Sequence, residues 1–129
     1  MVLVDADYFI GLYYIDDPHH QRCLSIAESL TEDLITPYDV IDEVVTKLTY
    51  FKRKDKALLF LNDIKRTNFV VIFPNPKLFT EAEKIFKNQK SSHVSFTDCM
   101  NMAIAKEKKV KFLLSFDKIY EKNGFKLIK

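Results

Sequence analysis

Three short stretches of the chain are apolar throughout: Val2-Leu3-Val4, Phe69-Val70-Val71-Ile72-Phe73 and Phe112-Leu113-Leu114. A strand with no polar pleat has no solvent face, which is the character of a parallel sheet covered by helices on both sides. Phe125 to Ile128 predicts a last, edge strand, and Gly124 stands just before it, where a helix would end in a left-handed residue. Between these runs the apolar residues recur with helical period. Asp17-Pro18 reads as an N-cap followed by proline at the first helical position, opening a helix to about Leu30. Thr36-Pro37 repeats the device ahead of Val40, Ile41, Val44, Val45 and Leu48, which share one helix face. A further helix from about Asp55 carries Leu58, Leu59, Leu61 and Ile64. Asn75-Pro76 opens another, with Leu78, Phe79, Ala82, Ile85 and Phe86 behind it, closed by the polar loop Asn88 to Ser92. Ser95-Phe96-Thr97-Asp98 has capping-box form and starts a helix to about Lys108. This order predicts an α/β fold with a central, mostly parallel sheet and helices on both faces.

The length of 129 residues suits one domain, 1–129, with a core of useful size, and no linker or repeat interrupts it. Hydrophobic residues at 47% and charged residues at 29% exclude a disordered chain. No run approaches the roughly 18 apolar residues of a spanning helix, and the N-terminus carries acid instead of a basic leader, so a cytoplasmic protein is expected. Cys23 and Cys99 lack the spacing of a zinc site and read as reduced and buried. A net charge of +2 is too mild to announce a nucleic-acid partner by itself. Local basic clusters change that picture: Lys52, Arg53 and Lys54, with Lys56, and then Lys106, Lys108, Lys109 and Lys111. They read either as solvated helix faces or as phosphate contacts.

The candidate chemistry lies in four acids. Asp5 and Asp117 each follow an apolar strand, Asp98 falls in the first turn of a helix, and Glu43 lies about two turns into another. In open α/β sheets, ligands collect at the carboxyl ends of the strands. Four carboxylates converging there would repel one another without a cation, and oxygen-only ligands suit Mg²⁺ or Mn²⁺. Each acid also has a purely structural reading. Asp98 would complete the capping box with Ser95, Asp5 and Asp117 would cap the helices that follow, and Glu43 would pair with Lys47 at i,i+4. Asp7 is either part of the acidic group or an exposed residue of the first helix. Asp16, Asp17, His19 and His20 read as a helix start ahead of a metal site, because adjacent histidines on a helix diverge by about 100° and do not easily share one ion. Tyr13, Tyr14, Tyr38, Tyr50 and Phe51 read as core or dimer surface ahead of base-stacking groups. With glycine only at positions 11 and 124, a phosphate-cradling glycine loop is excluded.

Taken in order, these segments resemble the PIN domain, in particular the VapC-like ribonuclease toxins of prokaryotic toxin-antitoxin pairs. The resemblance runs through Val2-Leu3-Val4-Asp5-Ala6-Asp7 with the short helix that follows and Asp17-Pro18-His19-His20. It continues through Ile35-Thr36-Pro37 to Glu43, then Ser95-Phe96-Thr97-Asp98, and finally Leu113-Leu114-Ser115-Phe116-Asp117 with Tyr120 and Gly124-Phe125. The chain departs from the pattern in Ser115, where threonine is frequent, in Ile119, where some members carry another acid, and in Asp7, where Asn, Ser or Thr is usual.

The resemblance implies a PIN-like three-layer α/β/α sandwich and a Mg²⁺- or Mn²⁺-dependent endoribonuclease. Asp5, Glu43, Asp98 and Asp117 would hold the metal and act in catalysis. Ser95, Thr97, Ser115, Asn101 and Asp7 would orient those carboxylates. Lys52, Arg53, Lys54 and Lys109 would contact RNA. Cleavage by water needs no 2′-hydroxyl, so selectivity for RNA would come from binding. Homodimers through the helices near residues 38 to 66, and an antitoxin whose tail blocks the acidic groove, are the partners implied. Two alternatives remain: a catalytically silent scaffold or PIN-like RNA-processing subunit, and a haloacid-dehalogenase-like phosphatase suggested by Asp5-Ala6-Asp7.

Overall fold

The structure, a computed structural model, describes residues 1–67 and 69–129. Among the described residues, β1 (Val2–Val4), β2 (Leu34–Pro37), β3 (Val70–Ile72), β4 (Phe112–Leu114) and β5 (Lys126–Ile128) form one sheet in the order β3-β2-β1-β4-β5. Every pairing is parallel. Between them run α1 (Ala6–Tyr13), α2 (His20–Ser29), α3 (Tyr38–Tyr50), α4 (Lys54–Arg66), α5 (Pro76–Lys87), α6 (Phe96–Glu107) and α7 (Ile119–Lys122).

The alternation of side chains along β1 and β4 divides the core into two. Val2, Val4 and Leu114 pack with Phe9, Val40, Val44 and Phe60 under α1 to α4. Leu3, Leu113 and Ile35 pack with Leu78, Met102, Ile104 and Tyr120 under α5 to α7. This is the three-layer sandwich expected, and β1 is buried on both faces because helices cover both. The chain leaves β1 toward β2 and β3 on one side, then returns beyond β1 to build β4 and β5 on the other. The carboxyl ends of β1 and β4 therefore flank a switch point, the usual place for a crevice in such sheets.

Several local expectations need correcting. Thr36-Pro37 does lead into a helix, with Pro37 the N-cap of α3 instead of its first residue, but both residues also belong to β2, where Pro37 pairs with Ile72 and the buried Thr36 hydroxyl donates to the Val4 carbonyl at 3.3 Å. Proline fits the last residue of a strand as well as the first of a helix, so the dipeptide signal was ambiguous. Helix α2 begins at His20, two residues beyond Pro18, because the Asp17 carboxylate accepts from the His19 N–H and shapes a turn first. Strand β3 lies at the sheet's edge, and Val70 is 54% exposed, so this apolar run is not buried on both faces. In α4 the buried residues are Ala57, Phe60 and Ile64, while Leu58 and Leu59 face outward.

Gly124 does end α7 in the left-handed conformation, at φ 88°. Its N–H donates to the Glu121 carbonyl and that of Phe125 donates to Tyr120, a Schellman motif. Lys52 and Lys109 close α3 and α6 with the same bonding at φ 59° and 55°. No glycine marks those two ends in the sequence.

Candidate active site

Asp5 leaves β1 and caps α1, with its carboxylate accepting from the Ala6 N–H at 2.8 Å. It is only 7% exposed, so its oxygens must find partners within the protein. Oδ1 also accepts from Asn101 Nδ2 at 3.2 Å, while Oδ2 accepts from the Ser115 hydroxyl and the Tyr120 hydroxyl, each at 3.0 Å. Asn101 projects from α6, Ser115 follows β4 and Tyr120 belongs to α7, so three separate segments converge on one carboxylate.

Asp7, in the first turn of α1, accepts from the Phe116 N–H at 2.7 Å and lies 3.1 Å from the Ser115 hydroxyl. Its other oxygen, Oδ1, is buried without a partner among the described residues, as is Asn101 Oδ1. The expected capping box is present: the Ser95 hydroxyl accepts from the Asp98 N–H and Asp98 Oδ2 accepts from the Ser95 N–H. The second oxygen of Asp98 lies 3.3 Å from the Tyr120 hydroxyl. Asp117 accepts from the Ile119 N–H at 2.9 Å and so starts α7. Glu43 pairs with Lys47 at 3.0 Å, the i,i+4 partnership.

All four principal acids nevertheless line one crevice of about 740 Å³, together with Asp7, Ser95 and Thr97. Helix α3 forms its far wall with Asp39, Asp42, Thr46, Lys47 and Tyr50. Of the acids on this wall the sequence pattern points to Glu43 alone, although Asp39 and Asp42 lie about one helical turn or less from it. Seven carboxylates thus face one lysine, and such a surface attracts cations and repels phosphate. Asn101 and Ser115 lie beneath the crevice and donate to the Asp5 carboxylate. The Tyr120 hydroxyl was missed as a polar group, because apolar packing alone accounts for a tyrosine at that position.

Burial pushes the Asp5 carboxyl up to about 7, and the neighbouring Asp7 charge adds to the effect. Burial also raises Asp7, with Asp117 adding repulsion. Asp39 is raised by burial and by Asp42. Tyr120 is driven far above the ordinary phenol range by burial and the charges of Asp5 and Asp98, so its hydroxyl keeps its proton.

The basic candidates divide. Lys52, Arg53 and Lys54 follow Tyr50 at the outer end of the α3 wall, with Arg53 committed to Asp55 through two bonds of 3.0 and 2.9 Å. Lys109 follows the C-terminus of α6 and precedes β4, at the sheet edge opposite the acids. Lys109 lies 11 residues beyond Asp98, about 16 Å along the helix direction.

The donors present fit a divalent cation. They are all oxygen, they carry excess negative charge, and Asp7 holds a buried carboxylate oxygen without a partner. Among the described residues no three acidic, imidazole or thiol groups form a ready coordination cluster. Mg²⁺ needs no such cage, since it commonly binds one or two carboxylates and keeps several waters.

The sheet and the crevice together define a parallel α/β protein with an acid-lined site at its switch point. The chain belongs to the PIN domain family, which it matches over residues 2–126. It is 28% identical over 121 residues to a VapC ribonuclease of Archaeoglobus fulgidus, covering 89% of this chain and 76% of that one. Its fold is similar to that of VapC20 of Mycobacterium tuberculosis, described as a sarcin-ricin loop cleaving toxin, with a TM-score of 0.90 at 19% identity. That likeness covers 97% of this chain and 96% of the other. A toxin-antitoxin complex from Klebsiella pneumoniae gives a TM-score of 0.73 at 12% identity, covering 100% of this chain and 97% of the other. FitAcB from Neisseria gonorrhoeae gives 0.70 at 13%, with the same coverage. Family membership sets aside the haloacid-dehalogenase-like alternative.

Proposed function

We propose that this protein, a single PIN unit over residues 1–129, is a divalent-metal-dependent endoribonuclease serving as the toxin of a toxin-antitoxin pair. The observation that carries the reading is the crevice at the switch point, which Asp5, Asp98, Asp117 and Glu43 all line in a PIN fold. The VapC ribonuclease relative supports the same reaction class.

Asp5, Asp98 and Glu43 hold the cation, Mg²⁺ or Mn²⁺, and Asp117 serves as a further ligand or positions the attacking water. When bound, the cation supplies a coordinated water of lowered pKa and neutralises charge developing on the phosphate oxygens. Asn101 and Ser115 fix the Asp5 carboxylate from beneath. Asp7 fixes the Phe116 backbone and hence the approach of Asp117. Ser95 and Thr97 flank Asp98 at the helix start. Lys52 and Lys54, just beyond the end of α3, contact the RNA backbone outside the acidic crevice, while Lys47 stays paired with Glu43.

The reading includes a homodimer, an antitoxin partner and action in the cytoplasm. Tyr50 at 81% exposure and Leu58 at 56%, with Phe51 and Leu59, leave an apolar surface on α3 and α4 that suits a dimer contact. No helix among the described residues is long and apolar enough to cross a membrane. A monomer at micromolar concentration in light scattering would refute the dimer.

The deciding experiment is cleavage of a mixed panel of structured and single-stranded RNAs with Mn²⁺ or Mg²⁺, with EDTA and Asp98→Asn controls. Cutting that requires both the metal and Asp98 is expected. No cutting and no metal binding would favour the silent scaffold.

A further inference from the structure

The Asp5 carboxylate is fully occupied in the structure. Each oxygen of a carboxylate accepts two hydrogen bonds readily, and Asp5 has four donors: Ala6 N–H and Asn101 Nδ2 at Oδ1, Ser115 and Tyr120 hydroxyls at Oδ2. Any new partner of Oδ2 must displace one of them. Backbone and amide donors have fixed hydrogens, whereas a hydroxyl proton rotates to suit its surroundings. Tyr120 has a second acceptor already in place, Asp98 Oδ1 at 3.3 Å. Its oxygen meanwhile accepts from Asn101 Nδ2 at 2.9 Å, which keeps the phenol seated between the two acids.

Resting on the metal-dependent reading above, we propose that Tyr120 is a positioning residue, its hydroxyl tying Asp5 to Asp98 and turning its proton from one to the other as a divalent cation takes Asp5. No bond is made or broken in this step: the O–H rotates, leaving Asp5 Oδ2 free for the cation and giving Asp98 a donor. Ser115 has the matching arrangement toward Asp7, with its hydroxyl 3.0 Å from Asp5 and 3.1 Å from Asp7. The Tyr120 ring is fully buried, so the oxygen cannot drift when its proton turns. Among the described residues no other donor lies within reach of both Asp5 and Asp98, so without this hydroxyl neither acid can pass its hydrogen bond to the other. Groups that orient metal ligands in this manner commonly change metal affinity 10- to 100-fold on mutation.

Tyr120→Phe keeps the ring and removes only the oxygen. Mn²⁺ binding to the full chain is measured by calorimetry, using protein verified as folded, beside wild type and a comparator, Phe60→Leu, which disturbs the opposite core. Tyr120→Phe is expected to weaken Mn²⁺ binding about ten-fold, and Phe60→Leu to leave it unchanged. In the RNA cleavage assay the Mn²⁺ concentration for half-maximal rate should rise in parallel, with KM for RNA unmoved. Wild-type affinity in Tyr120→Phe overturns this proposal alone. Equal weakening by Phe60→Leu also overturns it, since general loosening would then account for the effect. A wild-type protein that binds no Mn²⁺ overturns the metal-dependent reading and this proposal with it.

Discussion

Asp7 accepts a 2.7 Å hydrogen bond from the backbone N–H of Phe116, joining the first turn of α1 to the loop that carries Asp117, 109 positions along the chain. The bond has an electrostatic cost, because Asp7 sits beside Asp5 with one buried oxygen unpaired. Asp7→Asn retains an acceptor and removes the charge, whereas Asp7→Ala strands the Phe116 N–H. We expect the Asn variant to exceed the Ala variant in stability by about 1–3 kcal/mol in metal-free urea unfolding near neutral pH. Equal stabilities would show that the contact contributes nothing.

The raised carboxyl of Asp5 makes stability depend on pH. Its ordinary value is 3.8 and its folded value about 7, so between these the folded protein holds more protons than the unfolded chain. Metal-free stability therefore falls as pH rises from about 4 to about 7 and levels off above, with a slope of up to about 1.4 kcal/mol per pH unit from one group. Asp7, raised in the same direction, steepens the fall. Asp5→Asn should flatten the curve, and saturating Mg²⁺ should lift its alkaline limb, since a cation favours the ionised acids. Denaturant midpoints measured in EDTA across this range provide the check, and a wild-type curve rising with pH would contradict it.

Asp98 has two duties, and substitution separates them. Asp98→Asn keeps an oxygen for the Ser95 N–H; the charge it loses at the helix N-terminus, worth about 0.3–1 kcal/mol, is offset by relief of repulsion among the crevice acids, so metal-free stability should stay unchanged or rise slightly. Asp98→Ala also opens the capping box, for a loss of about 1 kcal/mol. Both should abolish metal-dependent RNA cleavage. Retained cutting by the well-folded Asn variant would confine Asp98 to its capping duty.

Gly11 is a matter of space. A Cβ there would approach the Sγ of the buried Cys23 to 2.5 Å, so Gly11→Ala is expected to destabilise by about 1–3 kcal/mol. Adding Cys23→Ala should recover part of that loss, a non-additivity that thermal unfolding of the two single variants and the double variant would measure. Strict additivity would mean that the clash is relieved elsewhere.

Much of the architecture was legible from local pattern. The apolar runs at Val2-Leu3-Val4 and Phe112-Leu113-Leu114 required cover on both faces, and Ser95 to Asp98 announced its capping box, as Gly124 announced its helix end. The acids after β1 and β4 followed from the same reasoning, because a parallel sheet presents its carboxyl ends together. These features arise from interactions within one segment or from burial that its own periodicity records. Other features depend on how distant segments meet. The sequence could not distinguish Thr36-Pro37 as a strand end from a helix start, because β2 exists only through its pairing with β1 and β3. Lys109 lies at the edge opposite the acids because α6 carries the chain across the sheet before β4 begins. The bond between Tyr120 and Asp5 joins residues 115 positions apart. No local signal encodes it: the sequence supplied a tyrosine and an aspartate, and the placement of β4 beside β1 brought the hydroxyl to the carboxylate.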